Sequence, residues 1–177
     1  MAKLSAVQEK FILHWGEMGT KWGINRTVAQ VHALLYISPK PLHAEEITET
    51  LKVARSNAST SLKELQGWGI VKRVHVMADS RDHFESMKDV WEMFRVVLDE
   101  RKRREIDPTL ILLRQCVAEA DRDADTDDYT ETKLRELAEF FEVTGAWYSQ
   151  IRQWPTRALT KFVKLGDKAI KLLGLGS

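Results

Sequence analysis

The sequence predicts a mainly α-helical protein carrying one small β-hairpin, and three observations lead there. Apolar residues recur at the three-four spacing of a helix face along most of the chain. One β-branched run, Ile70 to Val76, follows a pair of glycines and can return as a second strand. The composition is 44% hydrophobic and 30% charged, with 9 glycines and 4 prolines in 177 residues, which suits a soluble helix-rich chain of one domain or a small domain with a helical appendage.

The first helix is expected from Leu4 to Met18, with Leu4, Val7, Phe11, Ile12 and Trp15 on one face and Gly16 and Gly19 ending it. Asn25 caps a second, Arg26 to Ile37, which the prolines of Ser38-Pro39-Lys40-Pro41 stop. A short third helix covers about His43 to Leu51. Ser56 or Asn57 can cap a fourth, running to about Gln66, with Leu62 and Leu65 inward and a polar, basic outer face. Gly67 and Gly69 end it, and the hairpin follows, its polar tip at Asp79-Ser80-Arg81-Asp82. Val90 to Leu98 keeps helical spacing until Asp107-Pro108, where Asp107 caps a new helix bearing Leu110, Leu113 and Val117. The acidic run Asp121 to Asp128 reads as a solvated loop and candidate hinge, without the register of a calcium-binding loop. A long helix then carries Leu134, Leu137, Phe140, Phe141, Tyr148 and Ile151, and Pro155 starts a last one with Leu159, Phe162, Val163 and Ile170.

Two short helices, a polar helix and a hairpin, in that order, make a winged helix-turn-helix. The expected partition is an N-terminal dimerisation helix at 1–22, the winged helix-turn-helix at 23–88, and a helical connector with a C-terminal dimerisation region at 89–177. Dimerisation is inferred because the terminal apolar stripes exceed what a small core can cover, and a second copy is the simplest partner.

Charge distribution says more than the net +1. Lys52 to Arg73 holds five cations against Glu64, Glu119 to Glu142 ten anions against three cations, and Arg152 to Lys171 six cations against Asp167. Basic segments are thus separated by an acidic one. On the polar helix, Arg55 and Lys63 can reach phosphates or guanine edges, Asn57 can pair with adenine, and Ser56, Ser59 and Thr60 can meet either. Arg73 lies on the following strand. Arg81 at the wing tip suits the negative potential of a minor groove, with Asp79 near enough to orient it. The bland readings are a solvated amphipathic helix and a surface ion pair. The following hairpin tips the balance toward double-stranded DNA as partner.

At this point the residues support a resemblance. The stretch from about Trp22 to Thr109, above all AEEITETLKVARSNASTSLKELQGWGIVKRVHVMADSRDHFES followed by ERKRREIDPTL, resembles the GbsR-like branch of the MarR family of bacterial and archaeal regulators. The resemblance implies a dimeric winged-helix repressor or activator on a pseudo-palindromic operator, with terminal helices at the dimer interface and ligand pockets near the junction of the two parts. Some such regulators sense choline-type quaternary ammonium compounds. Trp22, Trp91, Phe94, Trp147 and Tyr148 supply faces for a cation cage of that kind, although aromatics at helical spacing more often serve a core.

Other signals are thin. Glycine-rich phosphate loops, nucleophile elbows and zinc-protease His-Glu pairs are absent, so no enzyme is expected. The lone Cys116 reads as a small buried hydrophobe, and no metal or cofactor is expected. His75 and His83 can be cross-strand neighbours, a metal or pH-sensing pair at best and wing surface otherwise. No stretch approaches the roughly 20 apolar residues of a membrane span, and Gln8, Glu9 and Lys10 break the segment a signal peptide needs. A cytoplasmic protein without a membrane partner is expected. Lys161, Lys164, Lys168 and Lys171 around an apolar stripe also resemble a membrane-surface helix, but helix pairing suits a dimer better. The rival reading of the whole is a winged-helix protein-docking module without sequence-specific DNA binding.

Overall fold

The computed structural model describes residues 4–165; Lys168, Ile170 and Lys171 of the expected last helix lie outside them. Two compact units follow one another, one up to Val96 and one from Val97 on.

The first unit is built on α1 (Ala6–Lys21) and α2 (Arg26–Ile37). Ser5 opens α1 through a reciprocal capping box with Gln8, and the Asn25 side chain accepts from the Thr27 amide at 2.8 Å to open α2. Gly16 and Gly19 do not end α1. They lie inside it as its contact points with α2, where a Cβ on Gly19 would stand 2.5 Å from the Ala29 Cβ. The helix ends instead before Gly23, whose φ of +76° suits glycine. Ile12, Val28, Val31, Leu34, Leu35, Ile47, Leu62 and Leu65 form the core with Val71 and Phe84. Full burial of a side chain such as Leu35 or Leu65 contributes about 1.5–3 kcal/mol each.

Strand β1 (Leu42–His43) leads into α3 (Ala44–Leu51), which is followed by α4 (Arg55–Gly67) and by the hairpin strands β2 (Val71–Val76) and β3 (Asp79–Ser86). The sheet order is β1-β3-β2, antiparallel throughout, pairing Leu42 with Phe84 and Arg73 with Phe84 on its other side. Two expectations are corrected here. Neither Ser56 nor Asn57 caps α4: its N-cap is Ala54, without a side-chain bond, because Lys52 takes the left-handed turn (φ 54°) and the helix starts at once at Arg55. The hairpin tip is Met77-Ala78, not Asp79 to Asp82, so Arg81 stands within β3, two residues past its start. Ala78 carries φ +63° there, a position that glycine would occupy without strain.

Lys88 fastens the exit of the hairpin to α2. Its ammonium donates to the carbonyls of Leu35 (2.9 Å), Tyr36 (2.8 Å) and Ser38 (3.0 Å), satisfying the open end of that helix. Removal from water pulls the Lys88 pKa down.

α5 (Val90–Arg101) starts at Asp89, whose carboxylate accepts from the Trp91 and Glu92 amides. The expected break at Asp107 is not there. Lys102–Ile106 forms a π-helical stretch that runs straight into α6 (Asp107–Ala120), with Asp107 itself helical. A widened turn ahead of Pro108 accommodates the ring that would clash in a regular helix. Ion pairs knit it: Arg103 and Arg104 to Glu100, and Lys102 to Asp107. The acidic run is less a free hinge than a set of caps, since Asp123 accepts from Asp125 and Thr126, and Asp127 opens α7 (Asp128–Arg152) by accepting from Thr130. The Tyr148 hydroxyl donates to Asp99 at 2.6 Å, and Arg152 meets the same carboxylate at 2.8 Å. α8 (Thr156–Leu165) follows Pro155 and buries Leu159.

Candidate nucleic-acid interface

The local sequence of α4 divides it into two faces. Ala58, Ser61, Leu62 and Leu65 are buried, while Arg55, Ser56, Asn57, Ser59, Thr60 and Lys63 are exposed on the side facing away from the core. Because the helix begins at Arg55, Ser56 and Asn57 fall in its first turn with hydroxyl and amide free of capping duty. A helix whose N-terminal turn bears such donors is suited to the major groove.

The hairpin adds cations at a fixed register. Arg81 is held by Asp79, as expected: its Nε donates to Asp79 Oδ1 at 2.9 Å and its backbone amide to the same oxygen at 3.0 Å. Those bonds hold the Asp79 carboxyl far below the usual carboxylate range. Arg73 on β2 meets Asp82 of β3 at 3.2 Å, and Lys72 meets Glu85 at 2.8 Å. Arg55 meets Glu45 of α3 at 3.5 Å. The basic window from Lys52 to Arg73 is therefore interleaved with carboxylates from α3 and β3. Lys63 has no ion pair among the described residues.

His75 and His83 are not the pair suggested by the sequence. His83 is buried rather than wing surface, sits in register with Val74 on one side and His43 on the other, and packs its ring against His43 at 5.5 Å, edge on. Its Nδ1 donates to the Arg81 carbonyl (3.0 Å), since a carbonyl only accepts. His43 in turn accepts from the Glu46 amide to open α3, and Glu46 reaches back to the His43 amide at 3.1 Å. Neither His43 nor Glu45 stands out in the sequence as a site residue. The capping-box spacing of His43 and Glu46 was a signal, though with histidine in a place usually held by Ser or Thr.

Of the aromatics considered for a cation cage, Trp22, Trp91 and Phe94 lie in the first unit and Trp147 and Tyr148 in the second. Within the second unit Tyr148 lines a cleft of about 410 Å³ with Leu98, Ile106, Phe140 and Phe141, alongside the π-helical stretch. Among the described residues no group of three or more His, Cys, Asp or Glu side chains is placed to hold a metal ion, and no helix is long and apolar enough to cross a membrane.

Known proteins give this geometry a setting. The HTH-type transcriptional repressor GbsR of Bacillus subtilis (strain 168) is 21% identical over 154 residues, spanning 83% of this chain and 85% of that protein. A solved structure described as a transcriptional regulator superposes with a TM-score of 0.64 at 19% identity, covering 82% of this chain and 95% of its own, and shares the fold. Transcriptional regulator Tm0710 from Thermotoga maritima matches more loosely, with a TM-score of 0.38 at 17% identity over 78% of this chain and 89% of that one. The sequence model of the MarR family matches residues 22–82, which run from the end of α1 through the two short helices and α4 into β3. The winged helix-turn-helix segment of this chain is thus similar to the MarR family over residues 22–82, and the chain as a whole is similar to GbsR.

Proposed function

We propose that the protein is a DNA-binding transcriptional repressor rather than an enzyme, acting in the cytoplasm as a homodimer on a pseudo-palindromic operator. The single observation that carries this reading is the outward face of α4, where Arg55, Ser56, Asn57, Ser59, Thr60 and Lys63 stand together over a buried apolar underside. In the major groove these side chains can read base edges, while Arg73 and Arg81 on the hairpin reach phosphate and the neighbouring minor groove. The family match and the likeness to a named repressor support the same function.

The dimer is supported by the second unit. Its buried apolar residues are few, Leu113, Ala120, Ala138 and Leu159, whereas Leu137, Phe140, Val143 and Trp147 form a stripe along α7 that is 45–61% exposed. A stripe of that size calls for a covering surface, and a second copy brings both the cover and the spacing of two recognition helices about one DNA turn apart.

The test is selection of duplexes from a random pool, followed by titration of the selected and random DNA over a range of salt. A selected site bound roughly a thousandfold tighter than random duplex, with affinity falling steeply as salt rises, is expected. Asn57→Ala should remove about 1–3 kcal/mol at the selected site alone. Failure to enrich any sequence, with salt-insensitive capture of a protein partner instead, would point to a docking module.

A further inference from the structure

The arginines on the proposed DNA face are not displayed as bare cations. Arg55 pairs with Glu45, Arg73 with Asp82 and Arg81 with Asp79, and none of the three carboxylates lies within the basic sequence window. Asp79 also accepts from the Arg81 backbone, so it belongs to the construction of the hairpin. The Arg55–Glu45 and Arg73–Asp82 pairs differ, although Glu45 also stands 3.0 Å from His43 Nδ1. Both pairs are open to solvent, with the Arg55 side chain 82% exposed and Glu45 47%, and Arg73 56% and Asp82 50%. Pairs this exposed are worth about 0–1 kcal/mol, which is too little to explain them as supports of the fold. Glu45 also lies within electrostatic reach of Arg81, so one carboxylate faces cations of both the recognition helix and the hairpin. It occupies the first turn of α3, where the positive end of a helix would otherwise attract phosphate.

We propose that Glu45 and Asp82 are specificity-determining residues that lower affinity for DNA of random sequence more than for the operator. This inference rests on the DNA-binding reading above and adds to it. Random-sequence binding is almost wholly phosphate attraction, so a carboxylate beside each arginine acts on it in full. At the operator the same carboxylates have a second, opposing effect. A guanidinium held by a carboxylate presents its donors in a set direction, so less rotamer freedom is lost when it meets a matching base or phosphate. Repulsion from the phosphates is then offset by orientation at the operator and is not offset elsewhere.

Fluorescence-anisotropy titrations of the full chain with a selected operator and with random duplex would test this in Glu45→Gln, Asp82→Asn and the double variant. Glu17→Gln makes the same change of charge at an exposed position of α1, the helix that packs on α2. Each of the first two should tighten random-duplex binding about threefold to tenfold, and steepen its logarithmic salt dependence by about one. The ratio of operator to random affinity should fall at least threefold in each, and further in the double variant, while Glu17→Gln leaves it unchanged. A parallel rise on both DNAs, an equal rise with Glu17→Gln, or no rise at all overturns the assignment while duplex binding by the parent stands. Absence of duplex binding by the parent overturns the DNA reading itself, and is recognised before any variant is compared.

Discussion

His32 shows how one side chain can set a condition on the whole first unit. Its ring is buried between Trp15 and Tyr36, at 6.4 and 6.2 Å, and its Nε2 has no hydrogen-bond partner among the described residues. Burial, reinforced by the positive charge of Lys88, lowers its pKa from 6.5 to about 4. The folded state therefore holds the neutral ring in the window where the unfolded chain takes up a proton. The unfolded state binds more protons between about pH 6.5 and 4, so stability rises with pH across that window and is lost as pH falls through it. The loss at pH 4 should approach about 3 kcal/mol, the equivalent of the shift at about 1.4 kcal/mol per pH unit. Urea unfolding followed at pH 7 and pH 4.5 is expected to show the decline, and His32→Phe to remove most of it. An unchanged pH dependence in that variant would move the cause to the carboxylates.

At the scale of elements, the seam between α1 and α2 depends on glycine for closeness. The missing Cβ of Gly19 leaves room for the Ala29 methyl, and both Cβ positions are fixed by backbone, so no rotamer change relieves a clash. Gly19→Ala should gain up to about 1 kcal/mol of helix propensity and lose about 1–3 kcal/mol to forced separation. A lower urea midpoint is expected, and a raised one would show that the helices part without cost. The same seam explains why a glycine read as a helix stop was misread. Spacing along a sequence tells where a helix can break, but a close helix pair uses the same residue for contact. The RKRREIDP stretch is a second case: Asp107-Pro108 has the composition of a helix start, and a π turn lets the chain stay helical through it.

At the scale of the whole molecule, the proposed dimer depends on apolar surface that one copy leaves in water. Phe140 is 60% exposed on α7, so replacing it should do little to a single chain and much to a dimer. Phe140→Glu places a charge in the proposed interface. It is expected to sediment as a monomer at micromolar concentration, the parent being expected as a dimer there, and to bind operator at least tenfold more weakly because two recognition helices no longer act together. A variant that still dimerises would put the interface on another surface, and the exposed Val7 and Leu13 of α1 would be examined next.

What the sequence determined by itself was the order of elements and the two faces of α4. Apolar spacing separates the inner residues Leu62 and Leu65 from the polar face of Arg55 to Lys63 whatever surrounds them, because a helix repeats every 3.6 residues. Asn25 as a cap and the Asp79-Arg81 pair were legible for the same reason: both partners are near in sequence and follow local geometry. Only the tertiary structure decided the rest. Arg73 facing Asp82, Arg55 facing Glu45 and His83 packed on His43 depend on strand register and on how α3 meets α4, which bring together residues that no sequence period relates. Arg55, Lys72 and Arg73 of a basic sequence window became paired charges, and Lys63, among the described residues, did not, because the carboxylates that answer them come from neighbouring elements of the fold.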